Sequence, residues 1–184
     1  DRIYYAGYGA DIVDAGAGDD TVGVYSYNYT SSNADSIISL GTGTDTLILQ
    51  GGWFNNSDAA IIVTDFVPGT GGDLLNFDAI LNNYLQGWDG SSNPFGSGFM
   101  QLVQNGDDVL FQLDVNGGGN SYDTVFVFQG VQVSDFTLDN FSPAYPPDGS
   151  GIFGSEYLGS STDDNFTGTF GDDIMDGRDG NDTV

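Results

Sequence analysis

The sequence predicts an all-β fold in which two glycine- and aspartate-rich repeat segments flank a mostly β central module with one short helix. Three observations predict it. First, the triplet Asp-x-apolar recurs at a spacing of nine near both ends. Such a triplet is a short extended piece, about 10 Å long, and its side chains alternate between faces, so the apolar residue turns inward while its flanks turn out. Second, glycine stands two places before most of these aspartates, where the chain must reverse and needs backbone freedom. Third, the apolar runs between the repeats are short and rich in Val, Ile and Phe, the pattern of strands, with a single stretch at helical spacing.

The first segment, residues 1–50, opens on Asp1-Arg2-Ile3, which reads as the end of a unit displaced by one residue. Ala6 to Gly23 (AGYGADIVD-AGAGDDTVG) is two nonapeptides. Asp11 and Asp20 are followed by Val13 and Val22, and Gly9 and Gly18 hold the turn position. Tyr25 to Thr30 alternates aromatic and polar residues and predicts a strand with its tyrosines on one face. Those rings either cover the side of the repeat segment or form an aromatic contact surface. Asp35-Ser36-Ile37 and Asp45-Thr46-Leu47 continue the rhythm at a spacing of ten, the second supported by Gly41 and Gly43.

The central module, residues 51–145, changes rhythm. Ala59 to Phe66 predicts a buried strand, ended by the turn Pro68-Gly69-Thr70-Gly71-Gly72. Leu74 to Leu85 predicts a short helix with Asp78 as N-cap and Ile80, Leu81, Tyr84 and Leu85 on one side. Gln86 to Ser97 is a polar loop carrying Trp88. Met100 to Val103, Val109 to Asp114 and Thr124 to Gln129 predict strands, the last two pairing as a hairpin around Asn116-Gly117-Gly118-Gly119-Asn120. Asp107, Asp108, Asp114 and Asp123 are either a further metal site or solvated turn carboxylates.

Pro143, Pro146 and Pro147, with Gly149 and Gly151, mark a boundary before the last segment, residues 146–184. Gly159 to Val184 reads GSSTDDNFT-GTFGDDIMD-GRDGNDTV, three units in register. Each begins with Gly and has Asp at its sixth position (Asp164, Asp173, Asp182) and an apolar residue two places on (Phe166, Met175, Val184). Gly171 and Gly180 hold the turn position, where the opening unit has Thr162.

These nonapeptides resemble the glycine- and aspartate-rich calcium repeats of RTX proteins. The resemblance implies parallel β-roll segments in which two nonapeptides make one coil and residues eighteen apart stack. Asp164 and Asp182 are then expected one above the other, with Asp173 on the opposite edge. Several Ca²⁺ ions are expected between stacked carboxylates, which otherwise repel, because calcium takes six to eight oxygens from carboxylates and carbonyls. The implied ligand set is Asp11, Asp20, Asp45, Asp164, Asp173 and Asp182, with Gly9, Gly18, Gly43, Gly171 and Gly180 shaping the turns. The central run from Asp65 to Phe141 resembles the non-repeat module found beside such arrays in type I secreted proteins.

The formal net charge is -25, from 27 acidic residues against Arg2 and Arg178 alone. With 14% aromatic and 39% hydrophobic residues the chain still has material for a core, unlike a disordered acidic tail. No basic stripe exists to neutralise phosphates, so nucleic acid is excluded as a partner. The longest apolar run, Ala59 to Val63, is too short to span a bilayer, so no membrane insertion is expected. The chain has no cysteine, so it cannot use disulfides outside the cell. Without histidine, cysteine or lysine, the triad nucleophiles, Schiff bases and histidine zinc sites are ruled out. Paired aspartates in glycine turns lack the apolar pocket that a general acid needs, and no enzyme is expected.

Two functions are compatible with these features. One is a calcium-stabilised structural segment of a secreted bacterial surface protein (an S-layer, surface fibre or large adhesin) at the cell surface. It would stack on copies of itself or on adjoining repeats of the same polypeptide. The other is an adhesin module presenting Trp53, Trp88 and the tyrosine row to cell-surface or host glycans on calcium-repeat stalks.

Overall fold

The computed structural model describes residues 1–6, 10–26, 36–52, 60–151, 153–168 and 172–183. The chain is mostly β with one short helix, and it forms two compact units, Asp1–Gly149 and Ser150–Val184.

In the first unit the strands are β1 (Arg2–Ala6), β2 (Ile12–Asp14), β3 (Thr21–Ser26), β4 (Ser36–Ser39), β5 (Thr46–Gly52), β6 (Ile61–Val63) and β7 (Leu74–Asn76). After α1 (Asp78–Asn83) come β8 (Met100–Asn105), β9 (Asp108–Leu113), β10 (Asp123–Phe128) and β11 (Phe141–Ser142). The first seven strands enter two sheets alternately. One sheet has the order β1-β3-β5-β7-β11 and is parallel throughout. The other has the order β2-β4-β6-β10-β9-β8, parallel as far as β10 and antiparallel beyond it. A parallel neighbour needs a crossover, and here the crossover is a strand of the opposite sheet.

The Asp-x-apolar triplet explains the core. Its third residues line up as Val22, Leu47 and Leu75 in one sheet, joined by Phe141, all of them buried. In the other sheet Ile38, Val63, Phe128 and Val109 form the corresponding buried row. Beyond the triplets the core is aromatic: Phe77 stacks on Phe111 with centroids 6.3 Å apart, and Phe66 meets Phe128 at 4.6 Å.

Several local expectations are revised. Helix α1 starts at Asp78, and its N-cap is Phe77, with no side-chain cap; Asp78 donates its N–H to Asn76 Oδ1 at 3.1 Å. Leu74 and Leu75 belong to β7, because Leu75 completes the buried row beside Leu47 before the helix begins. The hairpin around Asn116–Asn120 pairs β9 with β10 as expected, with a bulge between Thr124 and Phe126. The strand predicted from Tyr25 is the end of β3; Tyr27 to Thr30 lie outside the described residues.

The second unit holds β12 (Phe153–Leu158) and β13 (Asp172–Asp176), paired in parallel, and an isolated bridge between Asn165 and Thr183. Tyr157 and Phe166 meet at 5.7 Å and are half-buried, as is Met175.

Candidate metal centre

Three turns of one construction stand before β3, β5 and β7. Gly16, Gly41 and Gly69 have φ of 96°, 97° and 94°; Gly18, Gly43 and Gly71 follow with 114°, 146° and 80°. Side chains other than hydrogen disfavour this region, so a Gly-x-Gly-x-Asp spacing is what reverses the chain here. Two residues after the second glycine come Asp20, Asp45 and Asp73.

These three aspartates form a file. The Asp20 N–H donates to Asp45 Oδ1 at 2.8 Å, and the Asp45 N–H donates to Asp73 Oδ1 at 2.8 Å. Asp73 Oδ2 accepts from the Val67 N–H at 2.8 Å, and the nitrogen of Asp1 lies against Asp20 Oδ1. In the reverse sense, the Asp20 and Asp45 carbonyls accept from the N–H groups of Thr46 and Leu74, each at 2.8 Å. Each aspartate therefore joins its neighbour through both main chain and side chain.

All three are buried, with 3%, 0% and 1% of their surface exposed. Asp20 Oδ2 and Asp45 Oδ2 are sealed from solvent and have no hydrogen-bond partner. Burial raises the Asp45 pKa, opposed by the Asp20 N–H and reinforced by repulsion from Asp20, Asp19 and Asp65. Burial also raises that of Asp73, opposed by N–H groups of Val67 and Asp45 and reinforced by Asp45 and Asp65. Buried carboxylate oxygens without partners are rare because desolvation is costly. Two of them in line suit a hard cation, which accepts carboxylate and carbonyl oxygens together. Among the described residues no three acidic side chains gather at one point. The carboxylates arrive one per level, so a cation held here would need backbone oxygens to fill most of its shell.

No protein-family model, curated protein or solved structure matches the chain.

A second set of carboxylates works in the opposite direction. Asp19 Oδ1 accepts from the Thr44 N–H at 2.9 Å, one level further on. The second unit repeats the arrangement: the Asp164 N–H donates to Asp182 Oδ1 at 3.0 Å, while Asp163 Oδ1 accepts from the Asn181 N–H at 2.8 Å. Asp19 and Asp163 thus take a donor from the following level, whereas Asp20 and Asp182 face a nitrogen of the preceding one. The first-position glycines make room for this. A Cβ on Gly159 would lie 2.9 Å from Asp164 Oδ2 and one on Gly168 2.7 Å from Asp173 Oδ2; on Gly177 it would collide with Asp182 Oδ2.

Asp164 and Asp182 stack eighteen residues apart, and Asp173 lies in β13, part of a different strand pair. Asp20 finds its partner twenty-five residues on, and Asp45 twenty-eight, instead of eighteen. Asp11, half-buried, lies beside the other sheet and donates its N–H to Ser36 Oγ at 3.2 Å. The pairing of Ile12 with Ile37 sets Ser36 opposite Asp11, so the triplet read as Asp35-Ser36-Ile37 is shifted by one. Gly18, Gly43 and Gly180 have the positive φ expected of them; Gly9 and Gly171 lie outside the described residues. Asp73 was missed because Pro68–Gly72 read as a simple turn, although Gly69-x-Gly71-x-Asp73-x-Leu75 carries the full signal.

In the central module Asp114 is buried and accepts from the N–H groups of Asn116, Asn120 and Ser121 at 3.3, 3.0 and 3.2 Å, which fixes the glycine loop. Asp108 Oδ1 accepts from the Gly130 N–H at 3.0 Å. The Trp88 indole donates to the Ser92 carbonyl at 3.0 Å and is half-buried in its own loop. Trp53, Tyr27 and Tyr29 fall outside the described residues.

Proposed function

We propose that the chain is a calcium-stabilised structural segment of a secreted bacterial surface protein, built on parallel β-roll coils of the RTX kind. The observation that carries this reading is the file Asp20–Asp45–Asp73, with two buried carboxylate oxygens lacking partners. Asp20, Asp45 and Asp73 would hold calcium together with carbonyls of the Gly-x-Gly turns. In the second unit Asp164 and Asp182 would do so. The ion's contribution is charge: it offsets repulsion among buried carboxylates in a chain of net charge -25. Where calcium is scarce the repulsion leaves the fold only marginally stable. Calcium near 10⁻⁴ to 10⁻³ M, roughly the affinity range of extracellular modules, couples binding to folding.

Support for stacking on further repeats, of the same polypeptide or another copy, comes from β1 and β2. They are edge strands of the two sheets, and their Tyr4 and Ile12 are 58% and 82% exposed. The glycan reading draws no comparable support, since Trp88 is engaged within its own loop.

The test is a far-UV circular dichroism titration with calcium after chelation, run beside isothermal calorimetry. Folding that is gained with calcium and lost with chelator supports the proposal. A signal indifferent to both, with no heat of binding, rejects it.

A further inference from the structure

The sequence contains two Asn-Gly pairs, Asn105-Gly106 and Asn116-Gly117, and the fold treats them differently. Both asparagines are exposed. Asn105 ends β8 and pairs with Asp108 at the start of β9, leaving Gly106 and Asp107 as a two-residue loop. Gly106 has φ of 65°, and Asp107 is not among the positive-φ residues, which defines a turn with glycine at its first central position. In that turn the first central N–H points away from the strand pair. Among the described residues neither the Gly106 N–H nor the Asn105 carboxamide makes a hydrogen bond, and the space beside the Gly106 Cα is open. At the second pair the Gly117 N–H donates to the Asp114 carbonyl at 3.1 Å. The Asn116 N–H is held by the Asp114 carboxylate, which also anchors Asn120 and Ser121.

We propose that Asn105 is a self-modifying site, converting to aspartate and isoaspartate in the folded protein, while Asn116 is protected. The Gly106 backbone nitrogen, deprotonated by hydroxide, attacks Asn105 Cγ. An N–C bond forms to close a cyclic imide, the Cγ–Nδ2 bond breaks, and the amide nitrogen takes up a proton and leaves as ammonia. Water then opens the imide at either carbonyl, leaving aspartate or, with the backbone rerouted through the side chain, isoaspartate. Glycine permits the approach because no Cβ shields its nitrogen. At Gly117 the same nitrogen has its proton committed to Asp114, so attack waits on local opening of the loop. The product carries a new charge beside Asp107 and Asp108, and the isoaspartate form lengthens the backbone at the β8–β9 turn.

The experiment is incubation of the whole protein in calcium-containing buffer at mildly alkaline pH, followed by peptide mapping with isoaspartate detection. Conversion at Asn105 is expected roughly tenfold or more faster than at Asn116, the order of protection that a hydrogen-bonded loop confers on local opening. A parallel incubation in denaturant should bring the two rates together. Equal rates in the folded protein, faster conversion at Asn116, or no conversion at Asn105 would overturn the proposal. So would a difference that persists in denaturant, since that would trace it to local sequence.

Discussion

The backbone N–H of Asp20 donates to the carboxylate of Asp45 at 2.8 Å, across twenty-five residues, while the second Asp45 oxygen is buried without a partner. One side chain therefore serves two ends. Its Oδ1 binds one level of the structure to the next, and its Oδ2 is the buried, unpartnered oxygen at which the proposed function places calcium.

Two substitutions separate these roles. Asp45→Asn keeps an acceptor for the Asp20 N–H and removes the buried charge, so the metal-free protein should become more stable and its calcium-induced stabilisation should shrink. Asp45→Ala also orphans the Asp20 N–H, at a cost of about 1–3 kcal/mol, and should be destabilised with or without calcium. Urea unfolding of both variants, in calcium and in chelator, measures the difference.

The pH response should change sign with the metal. Burial holds the Asp45 and Asp73 pKa values above the ordinary 3.8, so the folded state binds protons more tightly than the unfolded chain. Stability of the metal-free protein should then rise as pH falls into the window just above 3.8 and be lost as pH rises through the raised values. With calcium present, acid competes for the same oxygens and should weaken stability. Denaturant midpoints over a pH series, with Asp45→Asn as the control that flattens the metal-free slope, check this.

Gly16 and Gly41 form a matched pair, with φ of 96° and 97°. A Cβ on Gly16 meets nothing within 4 Å, whereas on Gly41 it runs into the Gly16 carbonyl oxygen. Gly16→Ala should cost only the backbone strain, about 1–2 kcal/mol. Gly41→Ala should add a backbone collision and lower the thermal midpoint much further.

Arg178 is the only non-glycine residue with positive φ among the described residues, at 62°. It stands four places before Asp182, as Gly16 stands before Asp20 and Gly41 before Asp45. Arg178→Gly should relieve about 1 kcal/mol of local strain. A rise in the thermal midpoint of the second unit, compared at one calcium concentration, would register it.

The triplets and their turns were legible because their causes are local. Positive φ selects glycine at Gly18 and Gly43, and alternation turns Val22 and Leu47 inward wherever the strands are placed. The hairpin of β9 and β10 was legible for the same reason. The helix start was not, since Phe77 is placed by its packing against Phe111 and Tyr145, which no capping rule anticipates.

By itself, the sequence determined the β class, the turn positions and the acidic residues that follow them, because each depends on a few neighbouring bonds. Only the tertiary structure decided which aspartate faces which. The intervals of twenty-five and twenty-eight residues depend on the lengths of loops between strands, and nine-residue spacing says nothing of those. It also exchanged Asp35 for Ser36, since register is set by which side chains reach the shared core, a condition no short stretch of chain contains.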